Sequence, residues 1–253
     1  MGRPLRLLVP GLPHHLLLRG HNRQAVFVDD EDRRRFLAEL QAVVREYRLP
    51  LHGYALLDNH VHLLLTPPDD RAVSRAMQSL GRRYVAAFNQ RHGRSGSLWE
   101  GRYRTCIVDP DGAFLDCLRH IETHAHRSAV MAPELHASRW TSLPHHLGAA
   151  SDPLVTDHPA FWRLGNTPFE RELAYRRLVD EPQDRAWTDA MAVRLVQGGV
   201  VGDAAFTARL AHQTQRRLTP GRRGRPPKAV AEPMVNKRSE EHTSELQSQS
   251  TIS

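Results

Sequence analysis

The sequence predicts an α+β fold, a split β-α-β sheet with helices on one face, followed by a small helical C-terminal region. Three observations carry that expectation. Before Val130, strand-like and helix-like segments alternate in the order β-α-β-β-α-β-α. Two of the helix-like segments repeat their apolar residues at one-face spacing. Two strand-like segments are separated only by Asp58-Asn59, the composition of a tight hairpin turn.

His15 to Arg19 is an apolar run closed by Gly20 and reads as the first strand. The run from Asp29 to Asp32 suits a helix start, because carboxylates cap the free backbone N–H groups and complement the helix dipole. Phe36, Leu37, Leu40, Val43, Val44 and Tyr47 then share one face until Pro50 stops the helix. Leu51 to Leu57 and His60 to Leu65 form the hairpin, closed by Pro67-Pro68. A second helix buries Val73, Met77, Leu80, Tyr84, Val85 and Phe88 and carries Arg75, Arg82, Arg83 and Arg91 on other faces. Leu98 to Val108 reads as another strand, and a third helix, starting at Asp109 to Asp111, turns Phe114, Leu118 and Ile121 inward. This order is that of a ferredoxin-like sheet.

Beyond residue 130 the composition changes. Pro133, Pro144, Pro153, Pro159 and Pro168 predict an irregular connection over 131–180, with short helices near 169–179, 188–197 and 203–217. The domain boundaries are therefore expected at 3–130 for the sheet domain, 131–180 for the connection, 181–218 for a small helical region and 219–237 for a basic tail. Arg238 to Ser248 reads RSEEHTSELQS, which is similar to the conceptual translation of a sequencing adapter. Residues 238–253 are therefore set aside as foreign to the fold.

The chain has 253 residues, 40% hydrophobic and 25% charged, enough apolar material for a real core. Its mean hydropathy is −0.52, and no apolar run approaches the roughly 18 residues of a membrane helix. No membrane partner is expected. The net charge is +7, almost all of it arginine, since the only lysines are Lys228 and Lys237. The adapter-like stretch holds one arginine against Glu240, Glu241 and Glu245, so the preceding 237 residues carry +9. Arginine excess fits both GC-rich codon usage and a phosphate-binding surface. Cys106 and Cys117 make neither a disulfide framework nor a four-thiolate zinc site, which fits a reducing cytoplasm.

The chemistry concentrates in His60-Val61-His62. Period-two alternation puts both imidazoles on one face of a strand, a few ångströms apart, and Val61, Leu63 and Leu65 on the other. Such a pair suits a divalent ion, and it is equally found as two structural histidines. His120 and His124 share a helix face at i, i+4 spacing and could complete a three- or four-histidine site. Arg223-Gly224-Arg225-Pro226 resembles an AT-hook core, in which Arg223 and Arg225 would lie in a narrow minor groove; a solvated basic tail is the plain alternative.

Taken together, the histidine strand after Asp58-Asn59, Leu12-Pro13-His14-His15, Arg19-Gly20-His21-Asn22-Arg23-Gln24, Leu80 to Tyr84, Phe88-Asn89 and Ser97 to Arg104 resemble the single-tyrosine transposases of the HUH endonuclease superfamily, in particular the REP-associated branch. The resemblance implies a protein that binds single-stranded or hairpin DNA, cleaves and rejoins it, and holds Mg²⁺ or Mn²⁺ on His60, His62 and a third ligand from a later helix, here His124. It implies phosphate contacts from Arg19, Arg82, Arg83, Arg102 and Arg104. A cytoplasmic chain, monomeric or homodimeric, is expected.

The sequence departs from the family at the nucleophile. The family's tyrosine falls on His120, and no tyrosine occurs between Tyr103 and Tyr175. His120 has three readings: a decayed site, a single-base error in the sequence, or a histidine that itself attacks phosphorus. A catalytically inactive DNA-binding descendant is the alternative to an active enzyme. A hydrolase of small phosphoesters is disfavoured, because a small substrate needs no extended basic surface.

Overall fold

The computed structural model describes residues 6–124, 140–216 and 218, which fall in one compact unit, Met1–Pro220. The AT-hook-like segment with Arg223 and Arg225, and the adapter-like end, lie outside the described residues. Helix α1 (Asp30–Glu46) links strand β1 (His14–Arg19) to β2 (Leu51–Leu57), which turns into β3 (His60–Leu65). Helix α2 (Ala72–Arg91), strand β4 (Arg104–Val108) and helix α3 (Phe114–Glu122) come next. The sheet order is β2-β3-β1-β4-β5, so β1 lies between β3 and β4 with antiparallel neighbours on both sides, the split β-α-β arrangement.

Each element is explained by its sequence. The Asp29 side chain caps α1 by accepting from the backbone N–H of Glu31 and Asp32. Phe36, Leu40 and Val43 of α1 and Val73, Met77, Leu80 and Tyr84 of α2 pack over Leu16, Leu18, Val61, Leu63 and Leu65 of the sheet. Each such fully buried side chain contributes about 1.5–3 kcal/mol.

The one-face expectation holds for α1 and α2, but the sheet is covered on both sides. Leu17, Ala55, Leu57, Leu64, Cys106 and Val108 point away from α1 and α2 and pack against Cys117, Leu118 and Ile121 of α3. Alternation already demanded a second cover, since Leu17 and Leu64 are as apolar as their neighbours. The strand expected over 98–108 is shorter: only Arg104–Val108 pairs regularly, while Trp99 makes one isolated bridge to Gly20.

The later residues add to this second cover rather than standing apart. Two short helices, α4 (Leu143–His146) and α5 (Pro159–Trp162), precede α6 (Pro168–Asp180) and α7 (Arg185–Gln197). Tyr175 and Val179 of α6 and Met191 and Leu195 of α7 join the α3 core. Strand β5 (Val200–Val201), which periodicity could not predict because two residues carry none, extends the sheet in parallel beside β4 and leads into α8 (Ala204–Thr214). No helix among the described residues is long and apolar enough to cross a membrane.

At Gly53 of β2 the α3 side chains sit close against the sheet: a Cβ there would fall 2.4 Å from Leu118 Cδ1 and 3.2 Å from Ser142 Oγ. Gly53→Ala is expected to destabilise the chain by about 1–3 kcal/mol through overpacking, read as a lower urea midpoint with an unchanged slope.

Candidate metal centre and nucleic-acid interface

The strand register builds the centre. His15, Leu17 and Arg19 of β1 lie beside Leu64, His62 and His60 of β3, all on the face that α3 covers. His124, just beyond α3, is brought against that face, with its ring 4.7 Å from His62 and 5.4 Å from His60. One nitrogen from each of His60, His62 and His124 lies within 4.8 Å of the others. The ring of His120 is 5.4 Å from His124 and 6.2 Å from Trp187 of α7, so His120 lies beside the cluster.

Both strand imidazoles are neutral near pH 7. Burial pushes His60 down to about 4, helped by the Arg19 guanidinium. Burial, reinforced by the neighbouring imidazoles of His15, His124, His60 and His120, holds His62 well below the ordinary histidine value. His60 Nδ1 lies 2.6 Å from Asn59 Oδ1, an amide oxygen that only accepts, so Nδ1 carries the proton and the Nε2 lone pair is free. His62 Nε2 is buried without a hydrogen-bond partner. Neutral imidazoles with an unmet lone pair at the centre suit a divalent ion, and a nitrogen-only set favours the transition series over Mg²⁺.

A second cluster, His145, His146 and Asp157, also brings three ligand atoms within 4.8 Å of one another. The backbone N–H of Asp152 donates to His145 Nδ1, and His145 Nε2 lies 3.4 Å from Asp157 Oδ1. His146 donates Nδ1–H to the buried Glu122 carboxylate; although burial opposes its charge, Glu122 raises its pKa. Its Nε2 lies 3.7 Å from Asp157 Oδ1, a buried oxygen without a hydrogen-bond partner.

The arginines divide into two sets. Arg19, Arg82, Arg102 and Arg104 line one cleft of about 520 Å³, together with Arg6, Trp99 and Tyr103. Arg6 stacks its guanidinium 3.9 Å over the Tyr103 ring and donates to the Tyr103 carbonyl. Arg83, also expected among the phosphate contacts, is paired with Glu46 at 2.6 Å, joining α2 to α1. Arg91 is likewise committed to Asp29 and Asp32. Helical position alone could not separate Arg82 from Arg83, because only the packing of α1 supplies Glu46. Sequence reasoning missed Arg6, Trp187 and His15; alternation along His14–Arg19 would have placed His15 on the face of His60 and His62.

None of the five tyrosines stands at the histidine cluster. The hydroxyls of Tyr54, Tyr84, Tyr103 and Tyr175 bond Asp152, the Val26 carbonyl, Ser74 and Glu122 respectively, and Tyr47 packs on the α1–α2 core.

Residues 9–123 match the family model of IS200-like transposases. No curated protein matches the sequence. Among solved structures, the chain is similar in fold to a REP-associated tyrosine transposase bound to a REP hairpin, at 14% identity and a TM-score of 0.50, covering 63% of this chain and 96% of that one. A crystal structure described as a transposase of Deinococcus radiodurans R1 is 28% identical over 43% of this chain and 87% of that one, with a TM-score of 0.34.

Burial lowers the pKa of His14, His52 and His60 to about 4 and of His15 to about 3. The unfolded chain therefore binds more protons between pH 6.5 and about 4, and stability is lost as pH falls through that window. His146, raised above 6.5, contributes with the opposite sign, its stabilisation being lost as pH rises. With His62 and His158 also lowered, six lowered histidines outweigh one raised histidine, so the melting temperature of the metal-free chain is expected to drop on acidification from pH 6.5 to 4.5. A flat or rising profile would contradict the burial of these rings.

Proposed function

We propose that this chain, whose residues 9–123 match the family model of IS200-like transposases, binds single-stranded hairpin DNA and cleaves and rejoins it by metal-assisted phosphoryl transfer. The observation that carries the reading is the convergence of His60, His62 and His124, together with Arg19, the register partner of His60, which lines a cleft with Arg82, Arg102 and Arg104. The similar REP-associated transposase was solved bound to a REP hairpin, which supports a hairpin as the ligand here.

His60, His62 and His124 would hold Mn²⁺ or Mg²⁺, which when bound polarises a phosphate oxygen and stabilises the charge that grows on it. The guanidiniums of Arg19, Arg82, Arg102 and Arg104 grip flanking phosphates and fix the strand's register. Tyr103 and Trp99 offer ring faces on which unpaired bases stack. His120 stands where the nucleophile is expected. Attack by its imidazole nitrogen on phosphorus would form a P–N bond and break the P–O3′ bond, the expelled 3′-oxygen taking up, through solvent, the proton that the N-phosphorylated imidazolium loses, leaving a phosphoramidate and a 3′-hydroxyl that can reverse the step.

A second reading, a DNA-binding descendant that does not cut, is favoured by the commitment of the tyrosine hydroxyls elsewhere in the fold. Incubation with a labelled hairpin and Mn²⁺ separates the two. An acid-labile covalent adduct on the unsubstituted chain, lost in His120→Ala, supports cleavage by His120. Binding without an adduct, with an adduct gained in His120→Tyr, establishes the non-cutting reading.

Binding itself is expected to weaken steeply with salt, with a slope of about −0.7 per neutralised phosphate on single strands. Arg82→Ala and Arg102→Ala are each expected to flatten a fluorescence-anisotropy salt titration by about one phosphate's share. Arg83→Ala is expected to leave the slope unchanged, because Arg83 is already paired with Glu46.

A further inference from the structure

We propose that His15 is a positioning residue for the histidine centre: its Nε2 accepts the Nδ1–H of His62, which leaves the His62 Nε2 lone pair directed at the cluster. The proposal rests on the reading of His60, His62 and His124 as a cation site.

His15 Nε2 and His62 Nδ1 are 2.7 Å apart, and the two rings are tilted 32° with centroids 5.0 Å apart. His15 is fully buried and His62 is 4% exposed. The strand register dictates the contact: His15 lies opposite Leu64, so His62 is its diagonal neighbour across the β1–β3 pair, within reach of a long side chain.

One proton lies between the two nitrogens, and it belongs to one ring or the other. If His15 donates, the His62 proton sits on Nε2, inside the cluster, where it blocks a ligand. If His62 donates, its Nε2 lone pair faces His60 and His124. His15 Nδ1 and His62 Nε2 both lack partners, so each arrangement leaves one N–H and one lone pair unmet. The two tautomers are thus balanced in the empty cluster. A cation on His62 Nε2 satisfies that lone pair and selects the second tautomer, an outcome available only because His15 accepts the proton's hydrogen bond.

The surroundings supply His15 no charged register partner: it is fully buried, and it lies opposite Leu64 on β3. Across the sheet its register partner is Cys106, a buried thiol pushed up to about 12, which supplies no charge. Glutamate or aspartate in the same place would add a negative charge to the site; a neutral imidazole orients the ligand without doing so.

Zn²⁺ serves as a diamagnetic probe. By calorimetry, His15→Phe is expected to weaken Zn²⁺ binding about 10–100-fold, while His15→Gln, whose amide oxygen accepts the same proton, stays within about threefold of the unsubstituted chain. Thermal melts of the metal-free variants report whether each folds. If the unsubstituted chain binds no Zn²⁺, the cation reading fails and takes this proposal with it. If it binds and His15→Phe binds equally well, the cation reading stands and His15 has no positioning role. Long-range ¹H–¹⁵N spectra of the unsubstituted, Zn²⁺-loaded chain provide a test free of any folding defect in the variants. Metal-bound Nε2 with protonated Nδ1 on His62, and unprotonated Nε2 on His15, supports the proposal. Zn²⁺ on His62 Nδ1, or a proton on His15 Nε2, overturns it.

Discussion

The centre depends on one constraint, that β3 is buried on both faces at once. Alternation sends Val61, Leu63 and Leu65 under α1 and α2, and leaves His60, His62 and Leu64 on the face covered by α3. Had the second face been open, the imidazoles would be solvated and would titrate near their ordinary value. Because α3 closes it, burial holds them neutral with lone pairs available. The same helix carries His120 and leads directly into His124, so the closing element also delivers part of the chemistry. The close seat of Leu118 over Gly53 keeps that helix tight against the sheet.

The hairpin, both long helices and the histidine face were legible in the sequence because each rests on local periodicity. The spacing of Phe36, Leu40 and Val43 reads as a helix without any tertiary knowledge, and His60-Val61-His62 declares its face by alternation alone. What was not legible is non-local. The partner of Arg83 is a glutamate 37 residues earlier, on another helix. The contact of His15 with His62 crosses 47 residues and needs the β1–β3 register. β5 is two residues long and exists only because β4 offers an edge. The strand expected over 98–108 is shorter for a related reason: Leu98 is buried in the α1–α2 core as a loop residue, where its apolar character mimics a strand.

The arginine excess, which composition alone could assign to codon usage or to a phosphate surface, is sorted by the fold. Some guanidiniums knit helices together, as Arg91 does with Asp29 and Asp32. Others gather in the cleft lined by Arg19, Arg82, Arg102 and Arg104, where Arg6 lies over Tyr103 and the cleft walls combine charge with aromatic faces. A surface of that kind suits an unpaired strand better than a small ester, because it extends beyond the reach of a single phosphate. His120, at the edge of the same cluster, is the point on which binding and cleavage part company.

The most direct measurement is anomalous diffraction at the manganese edge from crystals of the chain grown with Mn²⁺. A peak within bonding distance of imidazole nitrogens of His60, His62 and His124 is the result expected of this centre. No peak there, or one at His145, His146 and Asp157 instead, would contradict it.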